Sequence, residues 1–373
     1  TLADLDGHSL ALQNGYDADN SLYAFQTGLD FTTVDTQNYI TFHTHEYDRD
    51  YNSPNNELDE YDSNAYTVRA EHKKIGDGPL TYGVGFEYKY DEAVFTNRGS
   101  YNSTLSGDYE NQGYFANLGY QITDGLSTSL NYRTDNNNVV GNNDAHKIGI
   151  LKENVLPNLD VRLNHSTGYK NPSLYELYGA DNYAYQGNVN LDAEQSETNE
   201  IMFDYNFSNN SMFSINFFET NISNLISYSY PTYVNDRTGK LKQSGVEMAY
   251  SYIGDTDRLT LFSNSLSSKK ADGNDQLRRP ETILGFNYAK DLDNGFGLIT
   301  NYKFKGEHLD VHNSNYSTIT MKELHMLDLT ITKKYFNYDL GVNISNLFDE
   351  DYESPHGFSQ EGLGFNFVIK SRF

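Results

Sequence analysis

Hydrophobic and polar residues alternate along most of this chain with a period of two. Between positions 82 and 91, one face carries Tyr, Val and Phe, and the other carries Gly, Glu, Lys and Asp. The same alternation recurs at 126–133, 213–217 and 327–332. This period is typical of β-strands with one apolar face. Because unpaired charges are costly to bury, the charged face indicates a wet lumen and not a dry sandwich core.

The pattern predicts seventeen strands. They span residues 22–33, 36–48, 63–75, 79–92, 109–122, 126–136, 144–153, 157–167, 193–207, 211–228, 239–253, 256–268, 280–291, 295–308, 322–334, 336–346 and 361–373. Short turns at 34–35, 76–78, 123–125, 208–210, 254–255 and 292–294 separate long polar loops at 49–62, 93–108, 168–192, 229–238, 269–279, 309–321 and 347–360. Short turns on one rim and long loops on the other are typical of transmembrane barrels. The sequence therefore predicts an all-β fold, an antiparallel transmembrane β-barrel.

The two ends of the chain add two expectations. The first and last predicted strands run in the same direction, and bacterial barrels have an even number of strands, so we expect further strands upstream. At the other end, Leu363, Phe365, Phe367, Ile369 and Phe373 share one face of the last predicted strand. Because frayed termini are usually polar, we expect this strand to be paired to its last residue.

Composition narrows the class of protein. The chain has 373 residues, a net charge of −25 and only 37% hydrophobic residues, yet it contains 32 Tyr and 21 Phe. A barrel reconciles these values, because its apolar surface is a thin outward band. No run approaches the roughly 18 apolar residues of a transmembrane helix, and no signal peptide is visible, which indicates a mature or partial chain. Cysteine and Trp are absent. The acidic balance disfavours nucleic-acid binding.

Four motifs resemble those of TonB-dependent outer-membrane receptors. They read STGYKNPSLYELYG at 166–179, GNVNLDAEQSETNEI at 187–201, KLKQSGVEMAYSY at 240–252 and NLFDEDYE at 346–353. Ala193 replaces the usual Pro, and Ser371 replaces an apolar residue. The resemblance implies a plugged barrel of 22 strands. Residues 1–373 would then be one partial barrel domain, with the plug and about five strands upstream. It also implies the outer membrane of a Gram-negative bacterium as the location, lipid contact, and a TonB-type partner that acts through the plug.

Within this family, three segments are most similar to the cobalamin (vitamin B12) transporters. They read SLYAFQTGLDF at 21–31, ITFHTHEYDRDYN at 40–52 and DQLRRPE at 275–281. The resemblance implies TonB-coupled import of cobalamin or another corrinoid. A ferric-siderophore receptor is the alternative, since it shares most motifs. The negative charge disfavours an anionic ferric complex, because acidic loops would repel it.

The resemblance also implies particular site residues. Asp6 and Asp17 best match calcium-binding positions of the outer loops, with Asp19 nearby as a third candidate, and a solvated acidic loop is the alternative. No other cofactor is expected. Arg278 matches an arginine that contacts the corrinoid, with a salt bridge as the alternative.

Loop tyrosines supply the other candidate ligand contacts, because Tyr combines a large apolar area with a polar tip. The candidates are Tyr183, Tyr185 and Tyr230. Interfacial or loop packing is the alternative for each of them. His43 and His45 share a face of one strand and are interpreted as ordinary lumenal or loop histidines.

Motifs for catalysis are missing from the sequence, which contains no G-x-S-x-G, H-E-x-x-H or phosphate-binding loop. An enzyme is therefore not predicted. Two other classes stay open: a passive pore or non-transporting surface barrel, and a soluble all-β binding protein. A plug encoded upstream would favour active import over the pore.

Overall fold

The fold was taken from a computed structural model, which describes residues 3–4, 17–53, 57–100, 102–182 and 184–371. The strands and helices in chain order are β1 Ala3–Asp4, β2 Asp17–Thr32, β3 Thr36–Asn52, β4 Leu58–Lys74, β5 Leu80–Arg98, β6 Ser103–Thr123, β7 Leu126–Asn137, β8 Gly141–Leu156, β9 Leu159–Lys170, α1 Leu174–Tyr178, β10 Glu194–Ser208, β11 Ser211–Ser223, β12 Leu225–Ser229, β13 Thr232–Asp236, β14 Leu241–Ile253, β15 Asp257–Lys269, β16 Thr282–Asp291, a 3₁₀ turn Asp293–Gly295, β17 Phe296–Lys305, β18 His308–Val311, β19 Thr318–Met321, β20 Leu324–Tyr335, β21 Tyr338–Ser345 and β22 Gly364–Ser371.

One large antiparallel sheet contains the seventeen long strands, β2–β11, β14–β17 and β20–β22, together with the two-residue β1. Each long strand pairs with the next long strand along the chain, and β12–β13 and β18–β19 form two separate hairpins. The predicted all-β fold and its seventeen antiparallel strands are confirmed. Within the described ranges, β2 and β22 are not paired with each other.

Several strands continue further toward the long loops than the sequence predicted. β3 runs to Asn52 and β4 begins at Leu58, so the predicted loop 49–62 is mostly a paired hairpin. The predicted loop 93–108 is likewise shortened, because β5 and β6 pair as far as Asn97 and Ser103. The prediction was wrong here because the backbone ladder continues after the hydrophobic alternation ends. Backbone pairing does not require an apolar face.

The two faces of the sheet have opposite polarity. The outward face exposes apolar side chains along its strands, such as Leu163 and Phe217. The other face carries charged pairs: the Arg133 guanidinium binds Glu87 at 2.7 Å and Asp135 at 2.6 Å. Gly113 lies beneath this group, and a Cβ there would come within 2.5 Å of the guanidinium. The polar face predicted from the alternation is therefore the lumenal face of the barrel.

The C-terminal strand has the predicted orientation. β22 pairs with β21, and Phe365, Phe367 and Ile369 lie on its outward face, with Ile369 72% exposed. Phe373 lies outside the described residues, so pairing to the last residue stays a prediction. Among the residues described, no helix is long and apolar enough to cross a membrane.

Candidate functional site

A short helix in the long loop after β9 begins the candidate site. Ser173 caps α1: its hydroxyl accepts a hydrogen bond from the Glu176 N–H at 3.2 Å, and the Glu176 carboxylate accepts one from the Ser173 N–H at 2.7 Å. This reciprocal capping box satisfies donors that a helix start leaves unpaired. It allows a helix of only five residues to form at this position.

The helix folds inward onto the lumenal face of β5 and β6. Leu177 is 1% exposed and packs with Tyr109 of β6 and with Leu191. Tyr178 lies directly over Gly107, where a Cβ atom would overlap its ring. Gly107 therefore permits the close approach of α1 to the barrel wall.

A buried carboxylate ties the following segment to β4 and β5. Asp59 accepts hydrogen bonds from the amide nitrogens of Asn97 at 2.6 Å and Asn182 at 2.7 Å. The Asn97 amide also donates to the carbonyl oxygen of Ala180 at 3.0 Å. Because these groups are buried, their hydrogen bonds are costly to break. They hold residues 180–182 against the lumenal wall.

Aromatic rings continue from the barrel wall into this loop. Tyr61 and Phe95 pack edge-on against Tyr175, with centroids 5.9 and 5.7 Å away. Tyr175 stacks on Tyr185 at 4.7 Å, and Tyr185 meets Tyr233 at 5.7 Å. Burial raises the pKa of Tyr175 and of Tyr185, so both hydroxyls stay protonated at neutral pH. The Tyr185 hydroxyl donates to the Tyr175 carbonyl oxygen at 2.6 Å.

A cavity of about 890 Å³ opens beside these rings; we call it the aromatic cavity. Its aromatic lining consists of Tyr47, Tyr51, Tyr61, Phe95, Tyr109 and Tyr175. Its charged lining consists of two basic residues, Arg49 and Lys89, and five acidic residues, Asp59, Asp62, Asp91, Glu92 and Asp181. The volume suits a drug-sized ligand or part of a larger one. The carboxylate excess favours a ligand without net negative charge.

Two of the predicted ligand-binding tyrosines lie outside this cavity. Tyr185 is 3% exposed inside the aromatic packing, and Tyr230 is 73% exposed near the tip of the β12–β13 hairpin. Neither lines the aromatic cavity. Tyr183 lies outside the described residues. Ligand contact by these tyrosines stays a prediction.

Arg278 takes part in an ion pair that joins outer loops. Its Nε donates to Asp310 at 2.7 Å, and the same carboxylate accepts from the N–H groups of His356 at 2.9 Å and Val311 at 2.7 Å. Asp310 is 1% exposed. Burial raises its pKa, but the hydrogen bonds from His356, Arg278 and Val311 outweigh burial and hold the pKa below its usual value. The Arg278 side chain is still 55% exposed, so contact with a ligand stays a prediction.

The predicted calcium ligands are only partly described. Asp17 and Asp19 begin β2, where Asp19 lies opposite Asp50 of β3, and Asp6 lies outside the described residues. Over the described ranges, the structure contains no group of three or more His, Asp or Glu side chains suited to a metal ion. The calcium site stays a prediction. The rings of His43 and His45 are 5.6 Å apart, on one face as predicted.

Sequence reasoning missed the residues that build the aromatic cavity. Tyr61 and Phe95 occupy the same alternating face as Glu87 and Lys89, where the pattern otherwise places polar groups. Both residues fall in segments predicted as loops, 49–62 and 93–108, because the strands that carry them extend further than the alternation indicated. The docking of α1 has no local signal, because it depends on contacts between distant segments.

The fold and the site together define an outer-membrane β-barrel with a cavity beneath its outer loops. Residues 1–347 match the family described as "TonB dependent receptor-like, beta-barrel". The chain therefore belongs to this family, and the outer-membrane location predicted from the sequence is confirmed. Assignment to its cobalamin branch does not follow from this match.

Solved structures with the same fold include receptors for metal chelates. The ferric yersiniabactin uptake receptor FyuA from Yersinia pestis has 15% identity and a TM-score of 0.70 over 95% of this chain and 61% of its own. The ferric enterobactin receptor PfeA from Pseudomonas aeruginosa has 15% identity and a TM-score of 0.75, over 95% of this chain and 62% of its own. The copper transporter OprC has 11% identity and a TM-score of 0.80, over 97% of this chain and 67% of its own. This chain spans about three fifths of the length of FyuA and PfeA.

Proposed function

We propose that this chain is the receptor barrel of a TonB-coupled importer for a large ligand, and that a corrinoid is its cargo. The observation that carries the proposal is the aromatic cavity, which combines tyrosine faces with an excess of carboxylates. Tyrosine offers broad contact area to a large amphipathic ligand. The carboxylates disfavour an anionic chelate. Coupling to a TonB-type protein would act through a plug outside these residues.

A ferric siderophore is the second candidate cargo. The names of FyuA and PfeA, which share the fold, support it, and an anionic ferric complex would need a local group of cations. In the aromatic cavity, two cations, Arg49 and Lys89, face five carboxylates, and Lys89 is paired with Asp91 at 2.6 Å, so the lining as a whole is negatively charged. The cavity chemistry therefore supports the corrinoid more strongly.

Binding to the full-length receptor in isolated outer membranes tests both cargoes. Radiolabelled cyanocobalamin and ferric enterobactin are the probes, and Tyr61→Ala is compared with Tyr66→Ala. Tyr66 is on the same strand but on the outward face, where it stacks on Tyr90 at 5.3 Å. Loss of one buried aromatic contact corresponds to about a tenfold loss of affinity.

We expect cyanocobalamin binding that Tyr61→Ala weakens about tenfold and Tyr66→Ala leaves unchanged. If instead ferric enterobactin binds and Tyr61→Ala weakens its binding in the same way, the cargo is a ferric siderophore and not a corrinoid. A protein that binds neither probe but conducts ions in planar bilayers would favour the passive pore and overturn the importer proposal.

A further inference from the structure

A second cavity, of about 450 Å³, lies on the lumenal face between β15, β16, β17 and β20; we call it the lysine cavity. Lys303 and Lys305 project into it from the end of β17. Tyr352 and Ser354, from the loop after β21, close it on the outer side. The candidate functional site uses none of these residues.

The wall of the lysine cavity places small and apolar residues beside Lys303. Lys303 lies opposite Gly285 of β16 and Met326 of β20. The ring of Phe262 lies over Gly285, where a Cβ atom would come within 2.7 Å of it. Because Gly285 has no side chain, the Phe262 ring can pack close to this strand beside Lys303.

The loop above the cavity is held in place by Asn346. Its amide nitrogen donates to the Glu350 carbonyl oxygen at 2.9 Å, and its amide oxygen accepts from the Glu350 N–H at 3.0 Å. The Asn346 N–H donates to the Asp328 carboxylate at 2.9 Å. These bonds fix the loop that carries Tyr352 and Ser354, so the lysine cavity is already formed without a ligand.

The charge of this cavity is unusual for the protein. Its charged lining is Lys303, Lys305 and Asp328, one positive charge overall, in a chain with 27 basic and 52 acidic residues. Two other lumenal lysines bind carboxylates: Lys73 binds Glu71 at 3.2 Å and Lys89 binds Asp91 at 2.6 Å. Lys303 and Lys305 form no ion pair with any residue that the structure describes.

The spacing of the two lysines suits a shared anion. They are two residues apart on one strand, so both point to the same face with Cα atoms about 7 Å apart. Two ammonium groups that share one cavity repel each other, and an anion between them would offset this repulsion. Asn301 and Ser354 add amide and hydroxyl donors to the lining. An oxyanion accepts several such donors at once.

We propose that the lysine cavity binds an oxyanion, a carboxylate or a phosphate, between the ammonium groups of Lys303 and Lys305. The oxyanion has two possible sources: a free or cargo-borne group, or an acidic side chain from another segment of the full-length protein. This assignment does not depend on which cargo the aromatic cavity accepts.

Equilibrium dialysis of the full-length, detergent-solubilised protein against labelled inorganic phosphate tests the free source. Lys303→Gln/Lys305→Gln is compared with Lys73→Gln/Lys147→Gln, which removes the same charge from two lumenal lysines outside the cavity. We expect phosphate binding to weaken tenfold or more in the first variant, because hydrogen bonds to charged groups are lost. The control should change it less than twofold. Lys303→Arg/Lys305→Arg keeps the charge and should restore binding.

Thermal unfolding in phosphate-free buffer tests the internal source. If an acidic side chain fills the cavity, phosphate does not bind, and Lys305→Gln lowers the unfolding midpoint because that carboxylate loses its partner. If no anion is present, removing one of two repelling ammonium groups leaves the midpoint unchanged or raises it. The proposal is overturned if phosphate binding responds no more to the cavity variant than to the Lys73→Gln/Lys147→Gln control and Lys305→Gln does not lower the unfolding midpoint.

Discussion

The aromatic cavity and the lysine cavity share the same construction, a loop anchored over the strand wall, but their linings carry opposite net charges. Both lie on the lumenal face near the long loops, and in both a loop is fixed above the barrel wall by a buried asparagine amide. The first is rich in tyrosine and carboxylates, whereas the second is small and carries a net positive charge. The strand wall thus supplies the chemistry, and the loop decides where that wall becomes a site.

Asparagine suits the role of loop anchor because its amide donates and accepts at the same time. Asn97 donates to Asp59 and to the Ala180 carbonyl oxygen, which connects strand to loop. Asn346 makes paired bonds with the backbone of Glu350. In each case a neutral group satisfies backbone atoms without adding charge to the cavity.

The largest expected effect comes from removing the carboxylate anchor of the aromatic cavity. Asp59→Ala removes one charged acceptor from each of the buried amides of Asn97 and Asn182, at a cost of about 3 kcal/mol for the two hydrogen bonds. The loop that carries α1 should detach, with faster proteolysis between residues 171 and 192 and weaker cargo binding. Asp124→Ala, in an exposed short turn, is the control. Equal protease resistance of both variants would contradict the anchoring role.

A steric change at Gly107 should affect the aromatic cavity and leave the lysine cavity unchanged. In Gly107→Ala the new methyl group overlaps the Tyr178 ring and displaces α1, at a cost of about 1–3 kcal/mol. At Gly83 the nearest atom to such a methyl is 3.4 Å away, so Gly83→Ala is a matched control. We expect cargo binding to fall in the first variant, while phosphate binding is unaffected in both. A parallel loss of phosphate binding would mean that the cavities are coupled.

A smaller effect is expected from Asp310, which anchors the loop that closes the lysine cavity. Asp310→Asn weakens the hydrogen bonds from His356 and Arg278, by about 1–2 kcal/mol. The exposed guanidinium adds little more. Hydrogen exchange of the His356 amide, corrected for the intrinsic rate, measures the change. Glu307→Gln, an exposed neighbour, is the control.

The lowered pKa of Asp310 gives this prediction a pH dependence. Its ionised form is stabilised in the folded loop, so the contribution is complete above the unfolded pKa of about 3.9. It is lost as the pH falls below about 4 and through the lowered pKa. Acid should therefore increase exchange at His356 in the native protein and have less effect in Asp310→Asn. An equal acid response in both proteins would contradict the assignment.

The strand pattern was predictable because it depends on neighbouring residues alone. Period-two alternation located all seventeen long strands, and short turns identified one rim of the barrel. The ends of β3 and β4 were missed because both faces become polar there, while backbone pairing continues. The motif around Ser173 was recognised as a family feature, but nothing in it indicated that α1 folds into the lumen.

The candidate site was less predictable. Family resemblance directed attention to Arg278 and the chemistry of loop tyrosines to Tyr185, and the structure places contacts of both within the outer loops. The rings of Tyr61 and Phe95 become a binding surface only where Tyr175 packs against them. Those partners are about 80 to 114 residues apart in sequence, a separation over which periodicity carries no information.

The sequence by itself determined the class of fold, the number of long strands, the lumenal face and the receptor family, because alternation and motifs are local properties. Tertiary structure decided which lumenal residues form cavities and what charge each cavity carries. The physical reason is that a cavity requires a loop to dock over the wall. Docking depends on distant contacts, such as Tyr178 over Gly107 and Asn346 against Asp328.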